Sequence, residues 1–464
     1  MRPFLGIVLA FVFLSVASGT LVNVALPFIG EHFDAPESRF SWVVSGFMLT
    51  FGVFSAIHGR LGDVFGVRRL YLGGATLFLV CALLAAFAPS LEVLVGIRVV
   101  QGIGAAAIPA LGATILTRTL PPHELGRGMG AFVATVGLSA TVSPFIGGFL
   151  LEVADWHFVI AVPAIGLALL PFATRALPDT LDACPPARRF DWVGALLLSA
   201  SASALLAVPS VAGRGLPWAI GVGGLGLGLA AAFLRWIDRV DEPFLPPMLA
   251  RSPGFVATAI TGAIVNGARF GSIVLVPILL EEQGVSATTI GLTLVPGAIA
   301  LTLLSPTSGR LADRRGVRAA VVPGVAGLLA TLAATGFLVD QGIFGVTLSL
   351  TLTGAAFAFV QPPLLSGLGA VVPKDAAGVG NGTYLMVFFL GGAFGVAVSL
   401  GVLAMQPVGT AAWLPGVGDD VGRFSNTVVV MTLLGLPALI AWPYLPASRT
   451  SQVAGRKSTG EPPS

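Results

Sequence analysis

The chain has 464 residues, of which 55% are hydrophobic and only 10% are charged. A soluble domain carries roughly 25% charged residues, so this chain cannot cover a surface facing water, and lipid is its expected solvent. The net charge of +3 is read from its distribution among loops and gives no nucleic-acid signal.

Crossing the hydrocarbon core as a helix takes about 20 apolar residues. The N-terminal MRPFLGIVLAFVFLSVASG opens like a signal peptide, but its apolar run continues through LVNVALPFIG, which predicts a retained first span over 5–28. Further spans are predicted over 41–60, 70–88, 93–116, 128–151 and 156–173. A short, weaker pair follows at 192–212 and 216–236. Six more lie at 254–280, 287–309, 318–338, 342–369, 377–404 and 425–445, and the polar tail after them is expected to be disordered. The expected fold class is an all-α polytopic membrane protein of about fourteen helices.

Lysine and arginine then orient the spans. Of 25 such residues, only Arg39, Arg214 and Arg423 fall in segments on the far side from the N-terminus, and only Arg98 and Arg269 fall within spans. By the positive-inside rule both termini are cytoplasmic and the span count is even. No Asp or Glu lies deep in any span. The two cysteines, Cys81 and Cys184, fall at different membrane levels and are not expected to pair, and the four histidines are scattered, so no metal site or cofactor is expected.

A charged cassette occurs twice. GRLGDVFGVRR begins at Gly59 and GRLADRRGVR begins at Gly309, each in a loop between the second and third span of a six-span set. Matching cassettes at matching places point to an internal duplication. They divide the chain into a first bundle at 1–175, an inserted helix pair with linkers at 176–250, a second bundle at 251–446, and a cytoplasmic tail at 447–464. Two pseudo-symmetric six-helix bundles with a binding site between them at the midplane form a transporter architecture.

These residues resemble the inner-loop signature of the major facilitator superfamily: Gly59, Asp63, Gly66, Arg68 and Arg69, echoed by Gly309, Asp313, Gly316 and Arg318. TLVNVALP (Thr20–Pro27), IRVVQGIGAA (Ile97–Ala106) and SPFIGG (Ser143–Gly148) are similar to motifs of the fourteen-span drug:proton antiporter family within it. The resemblance implies alternating access between the bundles, with the cassettes as a conformational clamp on the inner side. It also implies a kinked fifth span carrying Pro144, Gly147 and Gly148. Arg98 is the residue it puts forward for proton coupling.

The sequence departs from that family at Ser18, where an Asp is usual, and at Ser139 and Ser143, where glycines are usual. An interior with Arg98 and Arg269 and no carboxylate has the wrong Coulomb sign for a specialist in cations. The candidate cavity groups are Ser18, Asn23, Gln101, Asn266, Arg269, Gln361 and Tyr384. The expected activity is proton-coupled efflux of drug-like or antibiotic-like small molecules by a monomer in the cell membrane. A uniporter or importer of a neutral or anionic metabolite and a non-transporting membrane sensor stay open. No nucleophile–base pair or metal set marks an enzyme. GVGGLG at Gly221 matches the dinucleotide glycine pattern, but it lies within a span with no preceding strand.

Overall fold

In lipid every backbone N–H and C=O must find its partner within the segment, and each expected span is accordingly a helix. They are α1 (Pro3–His32), α2 (Trp42–Phe65), α3 (Val67–Ala85), α4 (Leu91–Thr119), α5 (Pro122–Val153), α6 (Trp156–Ala176), α7 (Trp192–Ala212) and α8 (Leu216–Trp236). The second set is α9 (Pro253–Glu282), α10 (Ala287–Arg315), α11 (Val317–Leu338), α12 (Gly342–Ala358, resuming as Gln361–Val371), α13 (Ala377–Ala404) and α14 (Gly422–Tyr444). The computed structural model describes residues 3–182, 191–212, 215–241, 243, 245–372 and 377–446. At 56, 60, 63, 64, 122–127, 129, 130, 133, 140, 141, 209, 210, 212, 216, 313, 369, 370 and 377–379 it describes the backbone alone. No strand occurs among the described residues.

Twelve stretches are long and apolar enough to cross a membrane. One of them, Val317–Leu368, has 52 residues and is two helices. Gly324 of α11 faces Phe359 and Gly327 faces Ala356, the reversed register of an antiparallel pair. With α7, helical over 21 residues, these make up the fourteen expected spans.

Several helices depart from the simple ruler. α6 runs as a 3-10 helix over Val162–Leu169, with Pro163 at its start. α12 breaks at Phe359 and Val360, ahead of Pro362 and Pro363, which remove backbone donors. α14 is α-helical only to Gly435 and finishes in 3-10 turns at Pro437 and Pro443. Arg423, expected in an outer segment, lies in the first turn of α14 and is buried.

Packing follows the duplication. Within the first six helices α2 and α3 pack on α4, and α1 packs on α5; within the last six α9 packs on α13, and α10 and α14 pack on α11 or α12. Between the sets, α2 meets α13 and α5 meets α10. The second helix of each set therefore meets the fifth helix of the other, as a pseudo-twofold relation requires. The inserted pair is a hairpin in which Ser201 donates to the Gly226 carbonyl at 2.8 Å, and α7 lies against α2 and α13 beside the seam.

Both cassettes end their helix in the same way. Gly66 and Gly316 each have φ of 92°, a region that strains any residue with a Cβ. Each glycine breaks a helix sharply and starts the next one a residue later. That need, repeated 250 positions on, explains the invariant spacing within the cassette.

Candidate functional site

Arg98 sits on α4 and is 1% exposed. Its Nε donates to the Val43 carbonyl of α2 at 3.2 Å, and Nη1 donates to Ser18 Oγ of α1 at 3.1 Å and to Gln101 Oε1 at 2.7 Å. Gln101 Nε2 in turn donates to the Phe78 carbonyl of α3 at 3.4 Å. The guanidinium lies over the Phe47 ring, 4.2 Å from its centroid. A charge deep in a bilayer is costly unless paired or hydrogen-bonded, and here one arginine, with Gln101, ties four helices together while its Nε and Nη1 donors are met. Ser18, standing where the related family has Asp, accepts from Arg98 without neutralising it. A snorkelling Arg98 near Glu92 is excluded by the geometry, because Glu92 pairs with Arg39.

Arg269 on α9 is the opposite case. It is half-buried, with its guanidinium carbon 4.5 Å from the Phe357 ring centroid and 5.4 Å from that of Phe270. Its Nε is buried without a hydrogen-bond partner. No carboxylate pairs with it among the described residues. Asn266, one turn earlier, donates through Nδ2 to the Phe388 carbonyl at 2.9 Å and leaves Oδ1 unpartnered. Tyr384 of α13 is 1% exposed with an unpartnered hydroxyl, and its ring leans on Gly262, where a Cβ would stand 3.0 Å away.

The two arginines are joined by a chain of aromatic rings that the sequence reading missed. From Phe47 the centroid steps are 5.8 Å to Phe51, 4.7 Å to Phe389 across the α2–α13 seam, 5.5 Å to Phe388 and 6.3 Å to Phe357. Phe357 then carries Arg269. The i,i+4 spacing of Phe47 and Phe51 and the Phe388–Phe389 doublet were visible in the sequence, but nothing there joins α2 to α13. Asn266 and Tyr384 border this chain. Asn23 is buried on α1 with an unpartnered Oδ1, and Gln361 stands at the restart of α12; no described contact joins either one to the others.

The SPFIGG stretch of α5 packs on both sides. Gly147 lies against Leu21 of α1, a Cβ at Gly148 would overlap the Ala287 carbonyl of α10, and a Cβ at Gly291 would overlap the Pro144 carbonyl. Ser139, in place of a glycine, donates to the Phe13 carbonyl of α1 at 2.7 Å, so the substitution adds a tie while staying small.

The cassette arginines bind within their own sets or to the linker that follows the first one. Arg68 pairs with Asp179 at 2.7 Å and donates to the Thr174 carbonyl at 2.5 Å, while the Arg69 N–H donates to Asp182 at 3.1 Å. Arg318, the counterpart of Arg68, donates to the Leu445 and Pro443 carbonyls at 2.6 and 2.7 Å. Each thus fastens the third helix of its set to the end of the sixth. Gly59 and Gly309 have open space around them. The side chains of Asp63 and Asp313 lie outside the described residues.

At the opposite end the two sets are joined by charge. Arg423 of α14 pairs with Glu282 of α9 and with Glu37, just before α2, at 3.5 Å. Glu152, at the end of α5, accepts from the Thr288 N–H at the start of α10 at 3.1 Å.

Comparison with known proteins agrees with this geometry. The family described as Major Facilitator Superfamily matches residues 8–396 and, in a second match, residues 255–462. The multidrug resistance protein Stp of Mycobacterium tuberculosis is 29% identical over 87% of this chain and 74% of its own length. An uncharacterized MFS-type transporter of the same organism is 32% identical over 82% of this chain, which spans about half (53%) of that relative. In fold, a POT family transporter crystallised with 5-aminolevulinic acid superposes with a TM-score of 0.66 at 16% identity, over 95% of this chain and 96% of that one. A peptide transporter POT crystallised with alafosfalin gives 0.67 at 16%, over 95% and 94%. With two sets of six helices related by a repeated cassette, crossed second-to-fifth seams and a family match from residue 8 to 462, this membrane transporter chain belongs to the Major Facilitator Superfamily.

Proposed function

We propose that the protein is a secondary-active exporter of drug-like small organic molecules, driven by the proton gradient and working as a monomer by alternating access. The cassettes and both termini face the cytoplasm in this reading, on the strength of the arginine and lysine distribution. The observation that carries it is the ion pair of Arg423 with Glu37 and Glu282, which bridges the two helix sets at the end away from the cassettes. The cassette arginines Arg68, Arg69 and Arg318 meanwhile bind their own sets or the linker just after the first. That combination fits a conformation closed to the outside. The outward-open state would require the bridge to break and the cassettes to take up contacts across the seam.

Arg98 serves this cycle as a positioning residue that holds the first four helices in register. The coupling proton is assigned to the Glu282 carboxylate of the bridge, since no acid lies deep in a span. The relative named as a multidrug resistance protein supports organic molecules as the cargo.

Purified protein in vesicles, loaded with anionic, neutral and cationic dyes, tests the reading. An imposed pH gradient is expected to drive at least one dye against its concentration gradient, and a protonophore to stop it. Dye movement at the same rate with and without the gradient would overturn proton coupling and favour the uniporter, to which Ser18 in place of Asp lends support.

A further inference from the structure

The two buried guanidinium groups differ in one respect that bears on the cargo. Arg98 spends its donors on Val43, Ser18 and Gln101. Arg269 makes no hydrogen bond among the described residues, and its Nε is enclosed without an acceptor. Among the described residues, the elements packed against α9 supply no counter-charge at that level; α10, which also touches α9, has its one acid, Asp313, at its cassette end. α13 and α12 contain no Asp or Glu, and the acids nearest along α1 and α9 are Glu31 and Glu281 at their far ends. Glu281 is twelve residues from Arg269, about 18 Å along the helix. The only ionised group on α14 is Arg423.

An intramembrane charge without a partner marks a site whose partner arrives from elsewhere. We infer that Arg269 is the anchor for an anionic group on the transported molecule, and that the cargo is a planar aromatic organic anion bearing a carboxylate or sulfonate. The inference rests on the transport reading above and narrows it to a substrate class.

Four features support the assignment. A guanidinium offers a planar fork that fits a carboxylate through two parallel hydrogen bonds. The stack on Phe357, with the Phe270 ring centroid 5.4 Å away, holds that fork against aromatic rings, and the side chain stays half-buried with no bond to a helix carbonyl among the described residues. Asn266 Oδ1 and the Tyr384 hydroxyl, both buried and unpartnered, lie on the two helices that flank the same aromatic chain. Aromatic walls with a few fixed polar groups are what a small-molecule site needs. The partly buried ring of Phe389 at the seam gives a planar body a surface that moves when the two sets move.

Fluorescein and rhodamine 123 share a ring skeleton and carry opposite charge, so they isolate the sign. Binding is read by anisotropy on the full-length protein in detergent, and flux is read in vesicles. The wild type is expected to bind and move fluorescein in preference to rhodamine 123. Arg269→Gln should weaken fluorescein binding by about thirtyfold or more, the loss seen when one partner of a buried charge pair is truncated. Arg269→Lys should recover part of it. Both variants are checked for an unchanged elution profile, so that loss of fold is not read as loss of binding. Fluorescein binding that is independent of residue 269, or a preference for rhodamine 123, overturns the inference and leaves the transport reading intact. Binding that depends on Arg269 with no flux under any gradient overturns the transport reading and leaves the anion site standing.

Discussion

Gly395→Leu is expected to abolish recovery of monodisperse protein from detergent extracts. α9 and α13 touch backbone to backbone. A Cβ at Gly267 would stand 2.6 Å from the Gly391 carbonyl, and Cβ atoms at Gly391 and Gly395 would overlap the Ala263 and Gly267 backbones. Membrane helices have no hydrophobic force between them and rely on this kind of approach. The obstructing atoms are backbone, so no rotamer change makes room. Overpacking costs about 1–3 kcal/mol even where side chains can yield, and here the whole helix must retreat. The retreat would also break the Ser399 bond to the Gly271 carbonyl at 2.6 Å and the Asn266 bond to Phe388. Size-exclusion chromatography of a fluorescent fusion checks the outcome. Gly73→Leu on α3, with nothing within 4 Å of the added Cβ, should elute as the wild type does.

Arg423→Ala is expected to shift the resting conformation rather than the fold. Its removal leaves Glu37 and Glu282 facing each other without a cation, with Glu31 and Glu281 nearby to add to the repulsion. Glu37 and Glu282 keep part of their water, so removing Arg423 costs less than the ~3–5 kcal/mol of a fully buried pair. If the bridge forms only when the outer end is closed, that cost falls on one state alone and moves the equilibrium about tenfold or more. Hydrogen exchange is expected to rise across residues 282–290 and 31–41, including the Thr288 amide held by Glu152. Arg423→Lys should give a smaller rise, because an ammonium cannot fork between two carboxylates as a guanidinium does. Exchange unchanged at this end would show that the bridge is not part of the gate.

The sequence carried the helices, their number and the duplication, because lipid imposes length and apolarity on every span and the cassette repeats its glycines for a backbone reason. It also singled out Arg98 and Arg269, since a charge within a span is conspicuous. It could not say that one arginine is satisfied and the other is not. Ser18, Val43 and Phe78 come from three helices, and two of the three contacts are to backbone carbonyls that no motif encodes. The ring chain from Phe47 to Phe357 depends on α2 meeting α13 across the seam, a relation more than 300 positions apart in sequence and invisible in local spacing. The Arg423 bridge was hidden for another reason. By length alone the residue falls in a loop, whereas α14 starts at Gly422 and draws Arg423 into the protein.

The claim that the two helix sets rock about the α2–α13 and α5–α10 seams is tested most directly by paired distances in vesicles. Spin labels at Phe87 and Gln341 report the bridged end, and labels at Thr117 and Ser366 report the cassette end, all on exposed positions, in a background lacking Cys81 and Cys184. Pulsed electron resonance is recorded with and without an imposed pH gradient. The first distance is expected to lengthen while the second shortens. Distances that stay fixed, or that lengthen together, would contradict it.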